Sequence, residues 1–333
     1  MESIENIQSE IIPSFESQNE IRREKFNIVN KVGLIYAIGI AIMFQFEQIF
    51  FMIVKRFFSD FIKSNRNNII LLGTLIVNQI LGPILMFSLT KCIKRTKIKK
   101  CKYGLKKYLA NLCINSGLLI IGSLVGYIMQ FCFLHIFINS SEIKSNSTIN
   151  HSSIKGNIFL NFFIICFTAP IAEELMFRKF LIDRVAIYSK TLAIFTSGIL
   201  FGIFHINIHQ FFGAMFSGWS LAYSYAETGN ILIPISYHII ENSFTTIIQM
   251  GNLNNNINTN SIKAKIFVLF VLFRLIEALI GIIFLIIYRK KIKVTGEENK
   301  FKDIWKFCKS YGMWIFIFEG FLLLIIYYIN ILF

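Results

Sequence analysis

Three apolar stretches of this 333-residue chain carry side chains that can accept, donate or share a proton. They are Glu173, Glu174 and Arg178 in the first stretch, His205 and His209 in the second, and His238, Glu241 and Asn242 in the third. Ionisable groups are costly inside a membrane, so each one there is a candidate site residue. A carboxylate near imidazole and amide groups suits hydrolysis, because it can abstract a proton while the other groups stabilise an oxyanion.

Helical spacing separates these residues by role. Glu174 and Arg178 are four positions apart, which predicts an ion pair on one face of a helix. Glu173 is rotated by about 100° from Glu174 and therefore points elsewhere. His238 and Asn242 are also four positions apart and present a joint polar face. The spacing thus predicts one ion pair, one separate carboxylate and one polar face.

The composition places these residues in a membrane protein. Apolar residues make up 55% of the chain and charged residues 16%, and the mean hydropathy is +0.60. Soluble domains are more highly charged and disordered chains are less hydrophobic, so both classes are excluded. We predict an all-α fold, a polytopic integral membrane helix bundle with about 8–9 transmembrane helices of about 20 residues each. The candidate spans are 32–54, 69–90, 109–138, 157–184, 191–207, 209–227, 231–250, 266–288 and 312–333.

Basic residues are distributed unevenly over the loops between these spans. With a cytoplasmic N-terminus, 24 of the 34 basic residues fall in inside segments and 8 in outside segments. By the positive-inside rule, this asymmetry predicts a multi-pass cell-membrane protein with the N-terminus in the cytoplasm and the C-terminus outside. The net charge of +15 is then an orientation signal in a lipid bilayer, and no nucleic-acid partner is predicted. The N-terminal residues do not read as a signal peptide.

Depth in the bilayer brings the candidate residues together. At a rise of about 1.5 Å per residue, Glu173 lies about 16 Å and His205 about 21 Å from the inner surface. His238 lies about 10 Å and Asn242 about 16 Å from the same surface. Four polar residues on three helices therefore meet near the middle of the membrane. Pro170 interrupts its helix nearby, which favours a cavity at this depth.

Three motifs carry a resemblance to a known family. They are Glu173-Glu174-Leu175-Met176-Phe177-Arg178 (EExxxR), Phe201-Gly202-Ile203-Phe204-His205 (FxxxH) and His238-Ile239-Ile240-Glu241-Asn242 (HxxxN). In this order and spacing, the set resembles the CPBP family, also called the abortive-infection family. That family comprises type II CAAX prenyl endopeptidases and bacteriocin-processing or immunity homologues. The resemblance covers about 155–250.

The resemblance implies a glutamate-dependent intramembrane endopeptidase that uses no cofactor and no metal. Glu173 would activate water with help from His205, while His238 and Asn242 would hold the oxyanion. The supporting residues would be Glu174 and Arg178. The implied partner is a membrane-associated peptide or protein substrate, processed in the manner of a CAAX protein or of a bacteriocin or pheromone leader.

Four regions of the chain follow from the spans and the motifs. Residues 1–30 are predicted as a polar cytoplasmic tail, and 31–150 as N-terminal transmembrane helices with a basic cytoplasmic loop at 91–107. The catalytic core is predicted at 155–250 and further transmembrane helices at 251–333.

Three other interpretations fit the same residues. The cavity can bind a peptide without cleaving it, as a bacteriocin-immunity protein would. His205, His238 and Glu173 can supply the three ligands of a metalloprotease, although Ile206 stands where a zincin helix has glutamate. Buried Glu and His can also relay protons in a transporter, although the chain has no internal repeat.

Overall fold

Helices account for almost all residues that the computed structural model describes, which are 15–137, 157–252, 262–288 and 304–332. Numbered in chain order, they are α1 (Phe15–Phe57), α2 (Ser59–Thr74), α3 (Gly82–Thr90), α4 (Leu105–Phe137), α5 (Ile158–Phe163), α6 (Ala169–Glu174), α7 (Leu181–Val185), α8 (Lys190–Phe204), α9 (Ile208–Thr228), α10 (Leu232–Asn252), α11 (Ile262–Tyr288) and α12 (Tyr311–Leu332). Three π-helical turns, Leu75–Leu81, Ile164–Thr168 and Leu175–Phe180, join α2 to α3, α5 to α6 and α6 to α7. Within these ranges there is no strand, and the predicted all-α bundle is confirmed.

Five helical segments are long and apolar enough to cross a membrane, so the protein is a multi-pass membrane protein. They are 16–57, 65–90, 105–133, 158–185 and 264–288. The helix α8 and residues 311–326 of α12 are shorter apolar helices. Each of the nine predicted spans overlaps a helical segment, and the spans 191–207 and 209–227 correspond to α8 and α9, which three residues connect. Among the described residues, five of the nine predicted spans meet the length and apolarity of a membrane-crossing helix. The helices α9 and α10 contain polar residues along their length.

The segments predicted to lie inside the cell meet at one end of the bundle. These are 22–31, 91–107, 179–190 and the described part of 289–311. The contacts that join them are Arg22 with Tyr188, Thr96 with Asp183, and Lys306 with the ring of Phe26. The basic loops therefore share one end, as the sequence predicts. Which side of the membrane this end faces stays a prediction.

Close helix crossings hold the bundle together around α4. A Cβ atom at Gly281 of α11 would overlap the carbonyl oxygen of Cys113 in α4. A Cβ atom at Gly122 of α4 would overlap the carbonyl oxygen of Phe212 in α9. Small residues let transmembrane backbones approach in this way. The two glycines therefore let α9 and α11 pack closely against α4.

We expect Gly281→Ala to destabilise the protein by about 1–3 kcal/mol, the usual effect of overpacking. The added methyl group meets backbone of α4, which cannot move without displacing the whole helix. The measurement is thermal unfolding in detergent. Gly104→Ala is the matched control, because a Cβ atom at Gly104 meets nothing within 4 Å. Equal melting temperatures for the two variants would contradict the proposed close packing.

Candidate active site

The two glutamates of the EExxxR motif lie at the end of α6, between two π-helical turns. Pro170 in the first turn of α6 has no N–H and cannot complete an α-helical hydrogen bond. The chain before it is the π-helical turn Ile164–Thr168, and the chain after the glutamates is Leu175–Phe180. Such turns widen a helix and occur frequently at functional sites. The interruption predicted at Pro170 is present, in the form of these widened turns.

The ion pair predicted from spacing forms at the centre of the bundle. The Nε atom of Arg178 lies 2.9 Å from Oε2 of Glu174, and both side chains are completely buried. A second guanidinium nitrogen donates to the Ser197 hydroxyl at 3.0 Å, and the guanidinium lies 4.7 Å from the centre of the Phe201 ring. Arg178 is therefore held from several sides. The ion pair places its positive charge directly against the Glu174 carboxylate.

His238 lies between the two glutamates. Its Nδ1 atom is 3.0 Å from Oε1 of Glu174, a hydrogen bond, and its Nε2 atom is 3.6 Å from Oε2 of Glu173. The imidazole is almost completely buried. Because Arg178 holds Glu174, the orientation of His238 is fixed in turn. The four residues Glu173, Glu174, Arg178 and His238 therefore form one connected cluster.

The other two predicted site residues hydrogen-bond main-chain carbonyls. Asn242 donates through Nδ2 to the carbonyl of Ile165 at 2.9 Å. His205 directly follows α8, and its Nδ1 atom lies 2.8 Å from the carbonyl of Phe201. Asn242 thus ties α10 to the widened turn before Pro170. The predicted contact of His205 with Glu173 is not among the hydrogen bonds of the described residues.

The Phe201 ring contacts three of the predicted site residues. Its ring is 4.9 Å from the His205 ring and 5.7 Å from the His238 ring, edge to face in both cases. The guanidinium of Arg178 lies over the same ring, in a cation–π contact. It therefore excludes water from one side of the cluster and fixes both imidazoles. Its place in the FxxxH motif was visible in the sequence, but its contacts were not.

A cavity of about 160 Å³ borders the exposed side of Glu173. The Glu173 side chain is 17% exposed, whereas that of Glu174 is completely buried. Polar residues of the N-terminal helices form the facing wall: Glu47 of α1, Thr74 of α2, and Asn78 and Gln79 of the following π-helical turn. The remaining lining residues are Ile40, Met43, Phe44, Ala172, Phe204 and Ile206.

The sequence motifs did not identify the polar residues of this wall. The only signal for them is that a carboxylate and two adjacent amides stand inside otherwise apolar spans. Glu47, Asn78 and Gln79 are intramembrane polar residues of the kind that mark sites. No spacing rule connects them with Glu173, because α1 and α2 lie about one hundred residues earlier in the chain.

Ile206 has a left-handed backbone conformation next to His205. Its φ angle is +48°, which is unfavourable for a β-branched residue. It occupies the three-residue turn between α8 and α9, and its side chain lines the cavity. Strain of this kind is retained where the surroundings hold it and is concentrated at functional sites. The turn therefore places Ile206 in the cavity wall, directly after His205 in the chain.

A second buried charge network lies beside the site. Arg274 of α11 contacts the carboxylates of both Glu241 and Glu277, and Ser116 of α4 donates to Glu241 at 2.6 Å. Arg274 and Glu277 are three positions apart on α11, a spacing that favours such a pair. Glu241 immediately precedes Asn242, so this network anchors the site helix α10 to α4 and α11. It is therefore a structural support for the HxxxN motif.

The described residues contain no group of three or more His, Cys, Asp or Glu side chains that could hold a metal ion. The ligand set considered from the sequence was His205, His238 and Glu173. Of these, Glu173 and His238 face each other, and His205 bonds the Phe201 carbonyl through Nδ1. In the described part of the chain, the three side chains are not grouped closely enough to share one metal ion.

Comparison with known proteins identifies the region that carries this cluster. Residues 155–244 match the family model for type II CAAX prenyl endopeptidase Rce1-like proteins. Residues 155–244 are called the Rce1-like region below, after this similarity. The match contains all three motifs, and it confirms the resemblance to the CPBP family. No solved structure matches the chain.

Two curated proteins are similar to parts of this chain. "Putative membrane peptidase YdiL" of Bacillus subtilis is 31% identical over 102 residues, which are 30% of this chain and 41% of YdiL. An uncharacterized protein of Mycoplasma capricolum is 30% identical over 186 residues, 52% of each chain. The chain thus spans about half or less of the length of these relatives.

Proposed function

We propose that the protein is an intramembrane endopeptidase in which Glu173 activates water. The observation that carries the proposal is the position of the Glu173 carboxylate, which borders a cavity in the bundle and faces Nε2 of His238. A carboxylate with access to water and a neighbouring imidazole suits general base catalysis. The similarity of residues 155–244 to type II CAAX prenyl endopeptidases supports the same reaction.

In the proposed reaction, Glu173 takes a proton from water while the water oxygen bonds to the carbonyl carbon of the scissile peptide. Negative charge moves to the carbonyl oxygen, to which His238 and Asn242 donate hydrogen bonds. The C–N bond then breaks, and the leaving nitrogen takes the proton held by Glu173. His205 assists this transfer. The products are a carboxylic acid and an amine.

This scheme assigns distinct tasks to the two ring nitrogens of His238. Protonated Nδ1 donates to Glu174, which Arg178 holds in place. Protonated Nε2 donates to the oxyanion. Asn242 uses one amide hydrogen for the Ile165 carbonyl and keeps the second for the same oxyanion. Glu174 and Arg178 are thus positioning residues.

We propose a membrane-associated peptide or protein as the substrate, of CAAX type or a bacteriocin or pheromone leader. Glu173 lies in the apolar segment 158–185, so the scissile bond must enter the bilayer to reach it. The positive-inside rule assigns the basic end of the bundle to the cytoplasm. The N-terminus is then cytoplasmic and the C-terminus outside.

The test is cleavage by purified protein in liposomes, in water enriched in ¹⁸O. The probes are synthetic apolar peptides, with and without a prenylated CAAX end. Mass spectrometry is expected to find new C-termini that contain one ¹⁸O atom, at an unchanged rate after exhaustive chelation. Peptides that bind without being cleaved would overturn the proposal in favour of a binding or immunity protein. Activity that is lost on chelation and restored by zinc would overturn the glutamate mechanism.

A further inference from the structure

The N-terminal helices contribute an acidic group to the cavity that Glu173 borders. Glu47 of α1 lines this cavity together with Glu173 of α6. Asn78 hydrogen-bonds the Glu47 side chain and so fixes its position. Glu47 lies outside residues 155–244, so the family match does not account for it.

The cavity has two carboxylates and no cation among the described residues that line it. Arg178 is completely buried against Glu174 and turned toward Ser197 and Phe201. His238 is a cation in the proposed reaction, because both ring nitrogens donate, and it lies between Glu173 and Glu174. With Glu47 ionised, the three carboxylates Glu47, Glu173 and Glu174 outnumber these two cations by one, so the open space between Glu47 and Glu173 has a negative potential.

A positively charged substrate group fits this space. Two carboxylates that share a small cavity repel each other when both are ionised, and a general base must be ionised to act. A cation between them removes the repulsion and gains a charge-assisted hydrogen bond to Glu47. An ammonium or guanidinium on a long apolar stem can reach such a site from within a membrane-embedded peptide.

We propose that Glu47 is a specificity-determining residue that binds a lysine or arginine side chain close to the scissile bond. This inference rests on the proposed peptidase function and adds a substrate class to it. Gln79, held by the Thr168 hydroxyl, and Asn78 keep the same wall polar. The N-terminal helices thus select the substrate, while the Rce1-like region carries the catalytic carboxylate.

The test compares three synthetic peptides that differ at one position of an apolar segment, which is Lys, Met or Glu. For the wild-type protein in liposomes, we expect kcat/KM for the Lys peptide to exceed that for the Met peptide about tenfold or more, the effect of a hydrogen bond between charged groups. Glu47→Gln keeps the size of the side chain and its contact with Asn78 but removes the charge. The Lys preference is expected to fall to within about twofold. Cleavage of the Met peptide is expected to be at least as fast as with the wild type, because the repulsion between Glu47 and Glu173 is removed.

A charge reversal and a matched control complete the design. Glu47→Lys is expected to favour the Glu peptide over the Lys peptide. Glu319→Gln removes another intramembrane carboxylate, one that lies in α12 outside the cavity, and should leave the Lys preference as in the wild type. Equal cleavage of all peptides by the wild type, or a Lys preference that survives Glu47→Gln, overturns this inference.

A binding measurement separates this inference from the peptidase proposal. Fluorescent Lys and Met peptides are titrated onto the Glu173→Gln protein and onto the Glu47→Gln, Glu173→Gln double variant. Tighter binding of the Lys peptide that depends on Glu47 supports the site, even if the wild type cleaves none of the peptides and the peptidase proposal fails. Cleavage without any such binding preference overturns the Glu47 site alone.

Discussion

Replacing Glu173 by glutamine is expected to lower the rate of peptide-bond hydrolysis by about 10²–10⁴-fold, the usual contribution of a general base. Glutamine has the shape of glutamate but cannot accept the proton of water. The fold is expected to remain intact, because the Glu173 carboxylate borders the cavity and lies beyond hydrogen-bonding distance of His238, at 3.6 Å. The measurement is kcat/KM on a cleaved peptide, together with the melting temperature.

Glu319→Gln is the matched control for this variant. Glu319 is also a carboxylate in an apolar helix, and neither of its oxygens has a hydrogen-bond partner among the described residues. Its removal is expected to leave hydrolysis unchanged, since it lies outside the cluster. Full activity of Glu173→Gln would show that another group activates water. A melting temperature that falls with activity would instead show that Glu173 supports the fold.

The ion pair of Glu174 with Arg178 was predictable because it depends on helical periodicity. The meeting of polar residues near the middle of the membrane was predictable because it depends on the number of residues from the membrane surface. Four-residue spacing was enough to pair Glu174 with Arg178, and the π-helical turn that follows Glu174 did not prevent the contact. Counting residues from the basic end placed Glu173 and His238 at similar depth. The structure brings these two side chains face to face.

The hydrogen-bond partners of the ring nitrogens of His238 and His205 were not predictable from residue spacing. His238 was expected to serve an oxyanion with Asn242, yet its Nδ1 atom is committed to Glu174. That bond depends on how α10 is rotated against α6, which the crossing of two helices determines. His205 was expected beside Glu173. The helix α8 ends at Phe204, however, and the His205 ring turns back to the Phe201 carbonyl. Helical periodicity predicts side-chain directions only within a helix, and His205 lies just beyond the end of one.

The wall of the cavity was missed because it depends on long-range packing. Glu47 and Asn78 reach Glu173 only after α1 and α2 pack against the site helix. An isolated glutamate in an apolar span is a candidate site residue, but the sequence alone does not distinguish it from a satisfied interior group. Its partner and its access to a cavity distinguish the two cases, and both are properties of the folded chain.

Replacing Arg178 by methionine is expected to destabilise the protein by about 3–5 kcal/mol, because it leaves a buried charge without its partner. Arg178 and Glu174 are both completely buried, so water cannot replace the lost contact. Ser197 loses its donor and the Phe201 ring loses its cation in the same step. The measurement is thermal unfolding in detergent. The exposed Arg66→Met variant is the control and should change stability by less than about 0.5 kcal/mol.

Neutralising Glu174 as well is expected to restore much of the stability. In the Glu174→Gln, Arg178→Met double variant no buried charge remains unpaired, and replacing a whole buried pair by neutral side chains is often close to neutral. Hydrolysis should stay low in this variant. Glu173 is unchanged, but the hydrogen bond that His238 donates to residue 174, which orients the imidazole, is weakened. Recovery of stability without recovery of activity is thus the signature of a positioning pair. A double variant that is as unstable as Arg178→Met would show that Arg178 acts through packing, and not through its charge.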